Sequence, residues 1–422
     1  MDVRRNTIYT AELRYAPEST LILDIDGTLV PDKSNHIPRD LFLYIEQLKS
    51  SHRVYVCSNG DVGRTESIAK KLGVPVLEVH KPFGKIPDFW SPEGDVLVVG
   101  DKYLTDGLFA ERLNARFIKV DHVKSYTDSR NINISYALDD VVWFAKLAVK
   151  LARPFQWVKN ILVYAPLFFA SEFLTIKLVD VTLACIIFSV SASAVYIFND
   201  ISDASKDALH PVKKYRPIAS GQMSHTQAYI LLFVLLCIVG VGLYVLPVLF
   251  LPILLYISAN ILYSKWLKHV AVLDMLLVAS FYVVRVVAGG MVAQVPLSPW
   301  ILLCVFFGAL FIVVGKRRAE YGREVRREVL EEYSEKALDY MFAGSVAIAI
   351  LTYGIYTIIG HISSYLVYST FFVVLALFRV LNRIYTHPEQ AESPEVLVFK
   401  DLFVLGSFVA WGIYVFIVFY IT

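Results

Sequence analysis

Cysteine and unbalanced charge are both scarce in this chain of 422 residues. It has four scattered cysteines, and its charged residues, 18% of the chain, leave a net charge of only +2. Four isolated cysteines provide neither a disulfide framework nor a metal-ligand set. The near-neutral balance argues against a nucleic-acid partner. Residues 1–20 lack the apolar core of a secretion signal, so we expect no cleaved leader.

What the chain does have is long apolar runs, and 56% of its residues are hydrophobic. These runs recur from Ile161 onward, whereas the first 135 residues have the charge density of a soluble domain. Runs of this length predict membrane-spanning helices. The predicted spans are 161–179, 181–198, 226–246, 248–265, 272–294, 299–315, 340–360, 365–384 and 400–421. We therefore expect an N-terminal α/β domain over 1–135, a linker or interfacial helix over 136–152 and an all-α membrane domain of nine transmembrane helices over 153–422.

The positive charges of the loops predict an orientation. Nearly all loop lysines and arginines fall in the connections at 199–225, 266–271, 316–339 and 385–399. By the positive-inside rule, these connections and the N-terminal domain face the cytoplasm, in the cell's inner membrane.

The N-terminal domain has polar side chains where its predicted strands end. Thr20–Val30 reads TLILDIDGTLV, and further apolar strands are predicted at Arg53–Val56 and Asp95–Val99, with helical patterns at 39–48 and 65–72 between them. This alternation predicts βαβ units, whose strand ends meet at one edge of a parallel sheet. Carboxylates and a hydroxyl at that edge suit Mg²⁺-assisted phosphoryl transfer. The residues concerned are Asp24, Asp26, Ser58, Asp101 and Asp106.

The motifs DIDGT and GDKYLTD resemble those of the haloacid dehalogenase (HAD) phosphatases, which have a Rossmann-like parallel sheet. The resemblance implies that Asp24 is the nucleophile that becomes an aspartyl phosphate and that Asp26 is the catalytic acid/base. It also implies Mg²⁺ held by Asp24, the Asp26 carbonyl and Asp101, with Asp106 in support. Ser58 would hold a phosphoryl oxygen.

The lysine of such phosphatases has two candidates in this sequence. Lys81 precedes Pro82, as in the family's usual Lys-Pro pair, and we prefer it to Lys85. The stretches 28–58 and 58–81 are too short to contain a cap domain of about 50 residues. An open site of this kind suits a large or membrane-bound phosphate.

A run of acids followed by a run of bases comes after the second predicted span. Asp200, Asp203 and Asp207 stand at i, i+3 and i+7, so a continuing helix would place them on one face. Three such acids require a hard cation, and Mg²⁺ with a phosphate ligand fits. The bases that follow suit the remaining phosphate oxygens. They are Lys213, Lys214 and Arg216.

An arginine lies inside an otherwise apolar predicted span. Because a charge at that depth is costly, Arg285 is by default a functional candidate. The alternative is a snorkelling or structurally paired arginine.

The runs NDISDASKD and HPVKKYRPIASG resemble the first acidic motif of the UbiA superfamily of membrane prenyltransferases, and most closely its decaprenyl-phosphate phosphoribosyltransferase branch. The resemblance extends to RPFQWVKN before the first span, to the stretch around Arg285 and to GKRRAE after the sixth. Most of the superfamily has a second Asp pair where this chain has Glu320 and Glu324. Lys159 and Asn160 would lie at the mouth of the pocket. The implied substrate-binding residues are Lys159, Asn160, Asn199, Lys213, Lys214, Arg216, Arg285, Lys316, Arg317 and Glu320.

The implied activity is Mg²⁺-dependent transfer of 5-phosphoribosyl from phosphoribosyl diphosphate to a polyprenyl phosphate. Asp200, Asp203 and Asp207 would be the catalytic, metal-binding acids, and Arg285 and Lys159 would hold the lipid phosphate or the 5-phosphate. The HAD domain, with its own Mg²⁺, would then remove the 5-phosphate from the lipid product.

Three alternatives stay open. The first is a prenyltransferase that moves a polyprenyl group from its diphosphate to an aromatic or glycerol-phosphate acceptor. The second is a membrane-anchored lipid phosphatase. The third is that the HAD domain acts on an unrelated phosphate. The sequence leaves the prenyl chain length and the oligomeric state open.

Overall fold

The structure is a computed structural model that describes residues 7–9, 13, 18–88, 90–124, 130–321, 328–359, 363–387 and 401–421. The chain divides into an N-terminal unit, Met1–Ala148, and a membrane unit, Val149–Thr422.

A parallel sheet forms the centre of the N-terminal unit. Its strands are β1 (Ser19–Leu23), β2 (Arg53–Val56), β3 (Asp95–Gly100) and β4 (Arg116–Lys119). They are ordered β2-β1-β3-β4, with a further parallel bridge from Val56 to Val76. Leu23 pairs with both Val56 and Val99, so three strands end at the same level. The residues that follow them therefore meet at one edge, as expected for an α/β domain.

Helices α1 (Arg39–Lys49), α2 (Val62–Leu72) and α3 (Leu108–Arg112) follow the strands in turn, and α4 (Arg130–Ala152) comes after β4. Helices α1 and α2 pack with Leu21 and Leu23, while α3 packs with Ile22 on the opposite face. This alternation is the period-two pattern of a strand buried on both faces. Asp61 caps the start of α2, and Gly73 ends it in the left-handed conformation.

The membrane unit is helical. Its helices are α5 (Ala165–Phe169), α6 (Lys177–Ser202), α7 (Ala204–Ala208), α8 (His225–Val245), α9 (Phe250–Lys265), α10 (Leu273–Ala293), α11 (Pro299–Tyr321), α12 (Glu335–Ile359), α13 (Thr370–Thr386) and α14 (Leu402–Tyr420). Eight described helical segments are long and apolar enough to cross a membrane. They coincide with eight of the nine predicted spans.

The prediction of a ninth long helix at 161–179 is wrong for the described structure. The chain forms a 3₁₀ helix over Pro154–Tyr164 and then the short α5. Because a 3₁₀ helix rises about 2.0 Å per residue, the two together extend about 30 Å, which is the thickness of a hydrocarbon core. The segment runs antiparallel to α6. Successive hydrogen bonds join Arg153 to Asp200, Trp157 to Ser193 and Asn160 to Ser189.

Helix α10 approaches this 3₁₀ segment closely. A Cβ at Gly289 would lie 1.9 Å from the carbonyl oxygen of Val163. Only glycine permits this contact between backbones.

Candidate functional site

Three carboxylates meet at the edge of the N-terminal sheet. Asp24 follows β1, Asp101 follows β3, Asp106 lies in the helical turn after it, and all three are buried. One oxygen from each lies within 4.8 Å of the others, the one such set of potential metal ligands among the described residues. Clustered carboxylate oxygens suit hard divalent cations, so these residues fit Mg²⁺.

Lys81 lies against these carboxylates and is only 3% exposed. Its ammonium donates to Asp24 Oδ1 at 2.6 Å and also to Asp106. The side-chain amide of Asn59 fixes the Lys81 backbone with two hydrogen bonds of 2.7 Å. Lys85, the other candidate, is exposed and pairs with a surface carboxylate at 3.4 Å. The structure thus brings Lys81 to the acids and leaves Lys85 at the surface.

Burial and crowding perturb this cluster. The pKa of Asp24 is raised to about 8. Burial is the main cause, and the neighbouring carboxylates of Asp106 and Asp101 act in the same direction. Together they outweigh the Lys81 ammonium, which acts to lower this pKa. Burial also raises the pKa of Asp106. Burial alone would lower the pKa of Lys81, but Asp106 and Asp24 outweigh it and raise that pKa. Lys81 contacts two of the three acids, Asp24 and Asp106, and a divalent cation would neutralise the remaining negative charge of the cluster.

Asp26 is held by three hydrogen-bond donors. They are the Ser58 hydroxyl at 3.1 Å, the Arg64 guanidinium at 2.8 Å and the Lys33 backbone N–H at 3.0 Å. Burial acts to raise the pKa of Asp26, but these donors, Arg64 first, outweigh it and lower the pKa. Ser58 is therefore engaged with Asp26. Arg64 was not anticipated, although Asp61 as a helix cap places the first turn of α2 at this edge.

Two aromatic side chains that the motifs did not reveal contact Asp101. His122 Nδ1 lies 2.8 Å from Asp101 Oδ2, and Tyr136 of α4 also bonds this carboxylate. Their rings are 3.9 Å apart. Gly27, at φ +74°, makes room for Asp101 and His122, since a Cβ there would lie 2.0 Å from Asp101 Oδ2 and 2.4 Å from His122 Nδ1. His122 and Tyr136 lie outside any recognisable motif, so folding alone brings them to the site.

The acids of the membrane unit lie where α6 ends. The predicted continuous helix is interrupted, because α6 stops at Ser202 and α7 begins at Ala204. Asp203 lies at the break, at φ −96° and ψ 2°, and pairs with Lys268 at 3.3 Å. Asp200 and Asp207 share a different partner. The expected single acidic face is therefore divided into a pair and a separate acid.

Arginines form ion pairs with Asp200 and Asp207. Arg216 Nη1 lies 3.0 Å from Asp200 Oδ1 and 2.6 Å from Asp207 Oδ2. Arg153 donates to Asp200 at 2.6 Å, and Lys213 lies 3.9 Å from Asp207. Both carboxylates are buried. The predicted metal-binding acids are thus neutralised by side chains in this structure.

Asn199 has an unused acceptor one residue before Asp200. Its Oδ1 is buried and has no hydrogen-bond partner within the part of the chain that the structure describes. Because buried polar atoms are normally bonded, this oxygen fits a cation held beside Asp200. Lys214, by contrast, is exposed and lies over the Tyr215 ring, 5.2 Å from its centroid.

Arg285 and Asn160 form a polar cluster inside the membrane unit. Asn160 accepts a hydrogen bond from Arg285 Nε at 2.6 Å and donates one to Ser189 at 2.9 Å. Arg285 also donates to the Tyr256 hydroxyl at 3.2 Å and to the Phe281 carbonyl at 2.6 Å. All of these partners are uncharged.

The position of this cluster corrects the predicted mouth of the pocket. Asn160 is fully buried, and Lys159 beside it is half-buried. Ser189, the partner of Asn160, lies about 16 Å along α6 from Asp200 at 1.5 Å per residue. Asn160 and Arg285 therefore lie deep below the acidic loop, by which we mean the connection 199–225 that contains Asp200, Asp203 and Asp207.

The charged residues at the end of α11 are buried and paired. Arg317 is 3% exposed, and its Nε donates to Asp274 at 3.0 Å. Glu320 lies 3.3 Å from the same guanidinium. Asp274, at 0% exposed, also accepts the Tyr333 hydroxyl at 2.9 Å. Arg317 is thus held in a buried ion pair in this structure, and its role in binding substrate stays a prediction.

Asp274 was not anticipated, although an acid in an apolar span is itself a signal. Lys316 is half-buried. Glu324 lies outside the described residues.

The membrane unit is similar to known proteins. The UbiA prenyltransferase family matches residues 161–419. A decaprenyl-phosphate phosphoribosyltransferase of Mycobacterium tuberculosis (strain H37Rv) is 39% identical over 219 residues, which are 49% of this chain and 72% of that protein. Its counterpart in Mycolicibacterium smegmatis is 35% identical over 220 residues, 49% of this chain and 69% of that protein.

A solved structure shares the fold. The UbiA homolog from Archaeoglobus fulgidus bound to GPP and Mg²⁺ aligns with a TM-score of 0.50 and 16% identity, covering 65% of this chain and 99% of that one. At this identity the likeness concerns the fold alone. With eight helical segments able to cross a membrane, the protein is a multi-pass membrane protein. Because the match over 161–419 takes in more than half of the sequence, the chain belongs to the UbiA prenyltransferase family.

Proposed function

We propose that this protein transfers a 5-phosphoribosyl group from phosphoribosyl diphosphate to a polyprenyl phosphate. An oxygen of the lipid phosphate bonds to the anomeric carbon, the bond from that carbon to the diphosphate breaks, and diphosphate leaves. The observation that carries the proposal is the 39% identity to a decaprenyl-phosphate phosphoribosyltransferase over 219 residues. The acids and bases around Asp200 and Arg216 are consistent with this chemistry.

Asp200, Asp207 and Asn199 are the residues that would hold Mg²⁺ in the membrane unit. When bound, Mg²⁺ would neutralise negative charge that develops on the departing diphosphate. Arg216 already bridges the two acids at 3.0 and 2.6 Å, and Lys213 lies 3.9 Å from Asp207. These two bases would turn to the diphosphate oxygens once the acids are otherwise neutralised. Lys214 and Lys268 would add charge at the same loop.

The polar cluster of Arg285 and Asn160 would bind the second phosphate group of this reaction. Phosphoribosyl diphosphate has a diphosphate at one end and a single phosphate at the other, and the lipid acceptor has a phosphate of its own. Arg285 is buried among uncharged partners, at the level of the Phe281 carbonyl. That carbonyl lies about 10 Å along α10 from Asp274. Arg285, Asn160 and Lys159 are therefore our candidates for a single phosphate below the diphosphate.

We further propose that the N-terminal unit is a HAD-like phosphatase that removes the 5-phosphate from the lipid product. The support is a parallel sheet that delivers Asp24 and Asp101 to one edge, with Lys81 between Asp24 and Asp106. An Asp24 carboxylate oxygen would bond to phosphorus as the ribose oxygen leaves, and water would then hydrolyse the aspartyl phosphate. Asp26, whose pKa its three donors lower in this structure, would first take up a proton as Ser58 turns to the phosphoryl group, and would then give that proton to the leaving oxygen.

The 3₁₀ segment and α5 are our candidate for a ninth crossing. Their length of about 30 Å suffices for one. Arg153, at the start of the segment, bonds Asp200 at the end of α6. The lysines and arginines near this end would place the acidic loop at the cytoplasmic side of the inner membrane.

The test uses purified full-length protein, labelled phosphoribosyl diphosphate, Mg²⁺ and a polyprenyl phosphate, with mass spectrometry of the lipids. We expect the parent protein to form a ribosyl lipid without the 5-phosphate. Asp24→Asn should accumulate the phosphorylated lipid, because only the nucleophile of the second step is lost. Asp200→Asn should form neither lipid.

Two other results would replace this proposal. Release of diphosphate from a polyprenyl diphosphate, with none from the sugar donor, would indicate a conventional prenyltransferase. Full phosphatase activity toward a lipid phosphate in the Asp200→Asn and Asp203→Asn variants, without transfer from the sugar donor, would indicate a lipid phosphatase whose helices only anchor it. Identical lipids from the parent and from Asp24→Asn would remove the phosphatase step alone.

A further inference from the structure

The chain makes a strained turn before α10. Val272 has φ +67° and ψ −49°, and the Leu273 N–H donates to the Ala271 carbonyl at 2.8 Å. This is a γ-turn with positive φ centred on a β-branched residue, a rare and strained conformation. Such a turn persists only where its surroundings hold it.

A buried group of side chains holds this turn. The Tyr333 hydroxyl accepts the Val272 N–H and donates to Asp274 Oδ1 at 2.9 Å. Arg317 Nε donates to Asp274 Oδ2 at 3.0 Å. Asp274, Arg317 and Tyr333 are 0%, 3% and 6% exposed. We call Val272, Asp274, Arg317 and Tyr333 the α10 latch.

The latch lies close in sequence to Lys268, a base that contacts Asp203. The turn at Val272 directly follows the short segment Leu267–His269, whose Lys268 reaches Asp203 at 3.3 Å. The Lys268 side chain is 23% exposed, so it remains accessible to a ligand. A different backbone direction at Val272 would move Lys268 with respect to Asp203.

Stability alone is a weak reason for such a latch. A buried ion pair is often no more stable than apolar side chains of the same volume. This one also maintains a strained turn, which an ordinary turn would avoid. The buried ion pair and the strained turn both lie where the chain passes from Lys268 into α10.

We propose that Tyr333 and Asp274 are positioning residues, which act through Lys268 to hold its ammonium toward the diphosphate of the donor. The inference rests on the proposed function only in that the membrane unit binds a diphosphate. Tyr333 and Asp274 would not contact the substrate themselves.

The test measures the affinity of purified full-length protein for inorganic diphosphate in Mg²⁺ by isothermal titration calorimetry. Lys268→Ala should weaken binding about tenfold, the loss of one charged contact. Tyr333→Phe should weaken it about as much, because the ring stays packed while the turn loses its acceptor. In a Lys268→Ala background, Tyr333→Phe should have less than about a twofold effect, since coupled residues are not additive.

Tyr353→Phe is the matched control. Tyr353 is 4% exposed and bonds Ser369 and Trp411, each at 2.7 Å, near the far end of α12. Its loss should lower the melting temperature and leave diphosphate affinity unchanged. Asp274→Ala, which removes the carboxylate that holds the Tyr333 hydroxyl, should repeat the Tyr333→Phe pattern and provides a second variant if the first folds poorly.

Equal effects of Tyr333→Phe with and without Lys268 would overturn the inference, as would unchanged diphosphate affinity in Lys268→Ala. Both outcomes are separate from the proposed function, because inorganic diphosphate is the probe. Failure to turn over phosphoribosyl diphosphate would remove the proposed donor and leave this result standing.

Discussion

Arg216 neutralises two buried acids, so its removal should matter most when no cation is present. In the structure, its Nη1 lies 3.0 Å from Asp200 and 2.6 Å from Asp207. We predict that Arg216→Gln destabilises the metal-free protein and that Mg²⁺ with inorganic diphosphate restores most of the loss. The cation would supply the positive charge that the arginine provided.

The magnitude follows from burial. The Arg216 side chain is 29% exposed, whereas those of Asp200 and Asp207 are 3% and 5% exposed. An exposed pair contributes about 0–1 kcal/mol, while breaking a buried pair costs about 3–5 kcal/mol. This half-buried case, in which Arg153 still contacts Asp200, should cost about 2 kcal/mol. That loss lowers the melting temperature by about 4 °C in a unit of this size.

The assay compares thermal unfolding of parent and variant in EDTA and in Mg²⁺ with diphosphate. Arg379→Gln is a matched control, because Arg379 pairs with Asp401 at 3.1 Å and Arg383 also contacts that carboxylate. The control should shift the melting temperature equally in both conditions. An equal shift for Arg216→Gln in both conditions would refute the idea that this arginine occupies a cation site.

Two further predictions concern single residues. Lys81→Ala should reduce hydrolysis of p-nitrophenyl phosphate at least about a hundredfold, because the ammonium contacts Asp24, while Lys85→Ala should stay within about twofold; equal losses would contradict the assignment. Burial acts to raise the pKa of Asp401, but hydrogen bonds from Arg383 and from two backbone N–H groups lower it. Its stabilising effect should thus be complete above about pH 4 and be lost as the pH falls through the lowered value. Melting temperatures of Asp401→Asn against pH should lack this acid dependence; a parallel curve would contradict it.

The local patterns of the sequence were sufficient for the class of fold. The continuous apolar run through Leu21, Ile22 and Leu23, and the alternation of such runs with helical patterns, predicted a parallel α/β sheet, and its strands end where the acids were expected. Apolar length predicted eight of the described helical segments. It failed at 161–179, because hydropathy records how apolar a segment is and not whether its backbone forms an α-helix or a 3₁₀ helix.

Motifs predicted only some of the residues of the candidate sites. Asp24 and Asp101 are recognisable because each follows a predicted strand end, and Lys81 is recognisable because it precedes Pro82. The break at Asp203 was missed, because helical spacing assumes that the helix continues. Arg64, His122 and Asp274 were missed because their importance depends on which distant side chain they meet.

The sequence by itself determined the two-part architecture, the family and the residue types available for phosphate chemistry, since composition, periodicity and motif spacing are local properties of the chain. Only the tertiary structure decided which charges neutralise one another. Arg216 turns to Asp200 and Asp207, Arg317 to Asp274, and Arg285 to uncharged partners. Electrostatic pairing depends on distance and burial in space, which neighbours along the chain do not specify.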